Sequence, residues 1–282
     1  MHLKLIVILL LTFSTLAFSQ KKAEKGFIKA NYECTYSVNY INDTIKMTRG
    51  TKDWFILKIG DNFSYGYSYL CFQLDSFFRN MTKESAELMM GSMKNGTWSN
   101  RYSGDLMYAK IYKDFNAKKL FVIDNISTNY FIYEEYLIPQ NWTILNDTMT
   151  VAGYICQKAI CDYRGRSYEA WFAPEIPISE GPWKFFGLPG LIMKVYDTEH
   201  HYEFELDGLI KSEEKIDIQP LIEKKISIFG KQTILTKIER KKFFEVKFGE
   251  KGNMVIGSDM SQIGLNYEPV LKKYGYIELD YK

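Results

Sequence analysis

Residues 171–197 constrain the fold more than any other part of this chain. They contain four of the seven prolines and three of the nineteen glycines. Proline fixes φ and glycine alone readily adopts positive φ, so this segment is predicted to follow one rigid path. Large aromatic side chains give that path apolar surface to bury. Four of them are candidates to line a ligand cavity: Trp171, Trp183, Phe185 and Phe186. We therefore predict a rigid crossover that closes or plugs the rest of the fold.

Most of the remaining chain carries strand patterns. Apolar and polar residues alternate with period two over residues 27–45, which is typical of a half-buried strand. Aromatic residues make up 16% of the chain and favour strands. We predict a mainly β fold, with a long antiparallel sheet curled into an open or half barrel and one or two packed helices. Such a shape is similar, by analogy alone, to periplasmic lipoprotein carriers.

Two segments interrupt the strand pattern and predict helices, over residues 82–93 and 232–248. Methionines cluster in the first of these. Such clusters can form a plastic binding surface, but core filling is the commoner explanation and is preferred here. The alternation also predicts a strand over residues 64–74 and a final edge strand over residues 276–279.

Residues 1–19 have the features of a secretory signal peptide. Lys4 supplies the positive charge, residues 5–18 are mostly apolar, and Ala17 and Ser19 place small side chains before a cleavage site. The apolar run is shorter than the roughly 20 residues that a spanning helix needs. We predict export through the Sec route to the periplasm, the outer-membrane surface or the cell exterior. The mature chain, residues 20–282, is predicted to be a single β-rich domain that does not span a membrane.

Four cysteines occur in a chain predicted to reach an oxidising compartment: Cys34, Cys71, Cys156 and Cys161. Two disulfides are one possibility, with three possible pairings, and buried thiols are the other. Cys156 and Cys161 would face opposite sides of a straight strand, too far apart to bridge. Cys34 and Cys71 lie in two predicted strands and could face each other.

Charge and motifs exclude several classes of function. Lysine and arginine number 36 against 34 acidic residues, a net charge of +2, so nothing indicates nucleic-acid binding. The sequence has no glycine-rich phosphate loop and no serine-hydrolase elbow, and it predicts no cofactor and no catalytic residue. One enzyme alternative stays open. A hydrolase acting on a saccharide or peptide could draw an acidic pair from Glu169, Glu175 and Glu180.

A metal site is the third possibility. His201, Glu203 and Glu205 would lie on one face of a strand, where their side chains could bind a divalent ion. An ordinary polar strand face explains the same pattern more simply, because zinc sites need a further ligand held in place. The prediction is therefore that no metal binds.

Residues 187–192 have the sequence GLPGLI, and other motifs surround them in order. Before them come Glu135-Tyr-Leu137, Trp142, Gly153-Tyr154, Cys156, Lys158-Ala159, Ala170-Trp171-Phe172, Ile176-Pro177-Ile178 and Gly181-Pro182. After them comes Ile277-Glu278-Leu279. This arrangement resembles the GLPGLI family, a set of exported proteins of Gram-negative Bacteroidota named for the hexapeptide.

The resemblance implies an exported, β-rich protein, of a kind often encoded beside outer-membrane transport receptors, with no established activity. It marks the motif positions as structural: Gly153, Cys156, Trp171, Pro177, Gly181, Pro182, Gly187, Leu188, Pro189, Gly190, Leu191 and Ile192. Because the chain also lacks a catalytic set, we expect a non-enzymatic envelope protein. It would bind a hydrophobic ligand or an outer-membrane or periplasmic protein partner.

Overall fold

A computed structural model describes residues 26–43, 48–49, 52–95, 108–126, 129–228, 231–248 and 277–280. Its strands are β1 Phe27–Lys29, β2 Tyr32–Asp43, β3 Thr48–Arg49, β4 Asp53–Ile59, β5 Phe63–Ser68, β6 Lys110–Asp114, β7 Lys119–Ile126, β8 Asn129–Tyr136, β9 Thr143–Val151, β10 Tyr154–Tyr163, β11 Arg166–Ala173, β12 Leu191–Asp197, β13 Tyr202–Lys211, β14 Lys215–Asp217, β15 Lys225–Ile228, β16 Lys231–Ile234 and β17 Thr236–Lys237. Its helices are α1 Tyr69–Arg79, α2 Lys83–Lys94, α3 Gln219–Glu223 and α4 Arg240–Phe248.

One large sheet organises the molecule. Its strand order is β17-β8-β7-β6-β5-β4-β2-β13-β12-β11-β10-β9, with β3 paired to β2 beside this path. Neighbouring strands are antiparallel except for β17 and β8, which are parallel. The sheet is open, because β17 and β9 end it without meeting. The prediction of a mainly β fold with an open sheet is confirmed.

The sheet curls strongly across its width. Glu135 on β8 forms an ion pair with Arg164, which lies in the turn between β10 and β11. These strands stand near opposite ends of the strand order, so only a curled sheet can bring them together. The segment between β11 and β12, residues 174–190, crosses the inside of this curl, where Lys113 on β6 donates to the carbonyl oxygens of Gly181 and Phe185. We call this segment the crossover.

The helices differ from the sequence-based prediction in number and position. The described residues contain four helices rather than one or two. The strand predicted over residues 64–74 ends at Ser68, whose side chain accepts a hydrogen bond from the Cys71 amide and so starts α1. Asp53 on β4 fixes this start, because it accepts hydrogen bonds from the Ser68 hydroxyl and the Leu70 amide.

The other two predicted helices show one agreement and one error. Helix α2 begins after Thr82, which forms a capping box with Ser85, close to the predicted start. The helix predicted over residues 232–248 is wrong in its first part, because β16 and β17 occupy residues 231–234 and 236–237. Two threonines and an isoleucine there favour strand. None of the helices described is both long and apolar enough to cross a membrane.

The C-terminal residues that the structure describes, 277–280, are not a strand. The Leu279 amide donates to the Arg164 carbonyl oxygen, which fixes this short segment against the β10–β11 turn. The signal peptide predicted over residues 1–19 lies outside the described residues, and the single domain over residues 20–282 stays a prediction.

All four cysteines are buried thiols without a disulfide. Burial raises the pKa of Cys34 and of Cys161, each to about 12. Cys71 lies in α1 rather than in a strand facing Cys34. Cys156 and Cys161 both lie on β10, and both are buried.

Candidate functional site

The hexapeptide of residues 187–192 forms a tight turn at the end of the crossover. Gly187 has a φ of +98°, and a Cβ there would lie 2.6 Å from the Cβ of Pro139. A Cβ on Gly190 would lie 2.3 Å from the Ala173 carbonyl oxygen. Both positions therefore require glycine. Gly187 requires it because of its positive φ and its close approach to Pro139, and Gly190 requires it because of its close approach to the Ala173 backbone. The flanking apolar positions are buried: Leu188, Leu191 and Ile192.

Three of the four candidate ligand-lining residues are packed inside the protein. Trp183, Phe185 and Phe186 are at most 6% exposed. The Phe185 ring lies 4.7 Å from the Tyr168 ring and 5.1 Å from the Trp183 ring, centroid to centroid. Trp171 is instead half-buried, with Lys158 Nζ 5.7 Å from its ring centre. A ligand-lining role for these residues stays a prediction, but protein side chains surround the three buried rings.

A buried charge cluster lies next to these rings. Lys184 Nζ contacts Glu135 and lies 2.6 Å from Glu278. Its side chain is 1% exposed. Burial lowers the pKa of Lys184 to about 8, although the negative charge of Glu278 acts to raise it. The lysine therefore joins β8, the crossover and the C-terminal segment.

Two arginines complete this cluster. Arg164 contacts Glu135, and Arg240 Nε donates to Glu278 over 2.7 Å. Both arginines also contact Asp280. Burial alone would raise the pKa of Glu278, but Lys184 and the arginines lower it below its ordinary value. Three cations thus balance three carboxylates, and the cluster holds β8, the crossover and the C-terminal segment together. Sequence reasoning missed the cations, although the resemblance singled out the segments of Glu135 and Glu278.

The three carboxylates of the hydrolase alternative do not converge. Glu180 is buried and pairs with Lys113 over 2.7 Å. Glu169 pairs with Lys158 over 2.8 Å on a partly exposed strand, and Glu175 is exposed in the crossover. The hydrogen bond from Lys158 lowers the pKa of Glu169, whereas a general acid needs a raised pKa. The structure therefore does not assemble an acid–base pair from these residues.

The residues of the predicted metal row are also separated. Glu203 and Glu205 both pair with Lys194, each over 2.7 Å. His201 instead lies with Asp197 and Glu199 at the turn between β12 and β13, in an arrangement of potential metal ligands. Arg166 already supplies a cation to this group. Its Nη1 lies 2.9 Å from the Asp197 carboxylate and 3.1 Å from His201 Nδ1. The arrangement is an arginine-centred ion pair, and the absence of a bound metal stays a prediction.

Among the described residues, six exposed apolar side chains lie on α1, on α2 and, for Met81, in the turn between them. We call this group the α1–α2 surface, and it consists of Tyr69, Phe72, Met81, Leu88, Met90 and Met93. Phe72 is 49% exposed and Leu88 is 69% exposed. Helix α2 has no buried residue, so the expectation that its methionines fill the core is wrong.

A groove accompanies this surface where the two helices meet. Its volume is ≈ 710 Å³, and its lining includes Leu70, Phe72, Ser76, Phe77 and Thr82. Three acidic and three basic side chains lie on the two helices: Asp75, Glu84, Glu87, Arg79, Lys83 and Lys94. The two helices together therefore carry no net charge. Exposed apolar side chains clustered in this way are characteristic of binding sites.

Comparisons with known proteins address the crossover and the fold. Residues 162–194 match the family model described as "Protein of unknown function (Porph_ging)". The match covers the end of β10, β11, the crossover and the start of β12. No curated protein matches the chain.

Two solved structures of PNGF-II match part of this chain at low identity. The one in space group P21 is 12% identical, with a TM-score of 0.49, and the one in space group C2 is 13% identical, with a TM-score of 0.48. Each match covers 78% of this chain and 33% of the other. This chain therefore spans about a third of the length of those proteins.

Proposed function

We propose that this protein is an exported, non-enzymatic member of the GLPGLI family that binds a hydrophobic ligand on its α1–α2 surface. The observation that carries the proposal is the exposure of six large apolar side chains, five on two consecutive helices and Met81 in the turn between them. The crossover contributes to the fold rather than to binding, because its aromatic side chains Trp183, Phe185 and Phe186 are already packed inside the protein. Export to the periplasm or the outer membrane rests on residues 1–19 and on the GLPGLI resemblance.

The energetics require a ligand that covers several of these side chains together. Fully burying one leucine, methionine or phenylalanine gains about 1.5–3 kcal/mol. Association costs at least about 4 kcal/mol in lost freedom of motion. Covering one side chain is therefore insufficient, whereas covering neighbouring side chains together favours binding. Tyr69 and Phe72 have ring centroids 6.4 Å apart, and Leu88 lies one helical turn after Ser85, which lines the same groove as Phe72. Methionine suits this role because its flexible side chain adapts to ligands of different shape.

The balanced charges on α1 and α2 favour an uncharged apolar ligand. Anionic lipid head groups would need a basic rim, and arginine and lysine on these helices are matched by acidic residues. An outer-membrane or periplasmic protein with an apolar segment is the second possible occupant, because the same surface would accept it.

Native mass spectrometry of protein extracted from its source envelope tests the proposal. We expect an adduct with the mass of an apolar molecule, and we expect Leu88→Glu to reduce it. Ile155→Glu is the matched control, because Ile155 on β10 is 69% exposed, as Leu88 is. A protein partner that co-purifies and is lost in Leu88→Glu would identify the second occupant. A clean apo mass with no such partner would count heavily against binding.

A further inference from the structure

The two ends of the large sheet differ in how their strands are paired. At the β8 edge, β17 adds a short parallel strand, and the Ile238 amide continues the pairing by donating to the Ile132 carbonyl oxygen over 3.1 Å. Lys237 also pairs with Glu134 there over 3.2 Å. In the part of the chain that the structure describes, β9 pairs with β10 on one side and with no strand on the other.

The side chains of β9 show that the apolar interior continues to this uncovered edge. Met149 pairs in register with the buried Cys156, and Ile144 pairs with the buried Ala159. Cross-strand partners share a face of the sheet, so both side chains point toward the core. Yet Ile144 is 44% exposed and Met149 is 37% exposed, and none of the described strands lies beyond β9 to cover them.

Strand β9 also lacks side chains that usually discourage edge pairing. It contains no lysine, arginine or proline, and its one charged residue is Asp147. The register shift in β10 interrupts regular pairing between Ile144 and Thr148. The regular part of the edge is therefore Thr148–Val151, next to the turn into β10.

We propose that β9 pairs antiparallel with β9 of a second copy of this chain, across a two-fold axis at Met149. In this register, Met149 faces its own counterpart on the core side, and Thr148 faces Thr150 of the second copy on the outer side. At the three central positions, methionine thus meets methionine and threonine meets threonine, which are favourable cross-strand pairs. The edge is complementary to itself, which is what a two-fold interface requires.

The same register keeps like charges apart. Asp147 faces Val151 of the second copy, so the two Asp147 side chains lie four residues apart along the paired strands. At about 3.4 Å per residue this separation is roughly 14 Å. It exceeds the Debye length of about 8 Å at physiological salt, so their repulsion is largely screened. Five residues of each strand pair, and only Thr148–Val151 belong to the regular edge, so the dimer is weak and forms at micromolar or higher protein concentration.

Sedimentation velocity of the purified chain over a range of concentrations tests this proposal. We expect a monomer–dimer equilibrium in the parent protein. Met149→Lys places two lysines opposite each other at the axis and should weaken dimerisation about tenfold or more. Thr150→Lys should weaken it from the outer face. The control is Ile210→Lys, on β13 inside the sheet at 60% exposure, which should leave dimerisation unchanged.

Hydrogen exchange supplies an independent readout. The amides of Thr148–Val151 should exchange more slowly as protein concentration rises. Circular dichroism checks that each variant is folded, and Thr150→Lys decides the outcome if Met149→Lys does not fold. The proposal is overturned if the parent stays monomeric, or if Leu88→Ser rather than the β9 variants removes the dimer. The second result would place the contact on the α1–α2 surface instead.

Discussion

The crossover and the α1–α2 surface use similar side chains in opposite ways. In the crossover, Phe185 is fully buried and Trp183 is 2% exposed, with neighbouring rings and a charge cluster around them. On the α1–α2 surface, Phe72 is 49% exposed and Leu88 is 69% exposed. The segment with the strongest sequence motif is therefore an internal support. The α1–α2 surface, with its exposed apolar side chains, lies in a part of the chain that carries no sequence motif.

This difference separates stability from binding. Changes to the buried residues of the crossover, such as Lys184 and Phe185, should cost folding free energy, because these side chains have protein partners. Changes on the α1–α2 surface should cost little folding free energy and act on binding instead.

The largest loss of stability is expected for Lys184→Met. The change leaves Glu135 and Glu278 buried without their shared lysine, and removing one partner of a buried ion pair costs about 3–5 kcal/mol. Lys237→Met is the control, because that lysine is 72% exposed and its pair with Glu134 is worth about 0–1 kcal/mol. Denaturant unfolding measures both. Equal losses of unfolding free energy for the two variants would show that the charge cluster does not hold these segments together.

A smaller loss is expected for Gly190→Ala. The new Cβ would lie 2.3 Å from the Ala173 carbonyl oxygen, so β11 or the crossover must shift, at a cost of about 1–3 kcal/mol. Gly208→Ala on β13 is the control, since nothing lies within 4 Å of a Cβ there. A Gly190→Ala protein as stable as Gly208→Ala would contradict the close approach.

The charge cluster also predicts a pH dependence. Because the pKa of Glu278 is below its ordinary value of 4.5 in the folded state, the unfolded state takes up this proton first. The stability from Glu278 is therefore present above pH 4.5 and decreases as the pH falls toward its folded pKa. The free energy of unfolding, measured between pH 3 and 6, should depend less steeply on pH for Glu278→Gln than for the parent. Glu87→Gln, on an exposed position of α2, should show the same pH dependence as the parent.

Local pattern predicted the sheet because period-two alternation reflects the two faces of a strand. It failed at α1, where the alternation of Tyr65, Tyr67, Tyr69 and Cys71 continues past the strand end. What stops the strand there is the cap at Ser68, and Asp53 from another strand holds that cap in place. A pattern within one segment does not contain such a contact.

The candidate sites were harder to predict because they depend on residues far apart in the chain. Glu135, Lys184 and Glu278 meet only because the sheet curls and the crossover passes inside it. The α1–α2 surface was missed for a different reason. The apolar residues of α2 predict a helix with a buried side, and the sequence alone does not show that none of its residues is buried.

Binding of Nile red, an uncharged apolar dye, tests the central claim most directly. Leu88→Ser and Ile155→Ser remove equally exposed side chains from the α1–α2 surface and from β10, and each should change the free energy of unfolding by less than about 0.5 kcal/mol. We expect the dye Kd to rise about fivefold for Leu88→Ser and to stay unchanged for Ile155→Ser. An unchanged Kd for Leu88→Ser, or equal increases in both variants, would contradict the assignment of ligand binding to the α1–α2 surface.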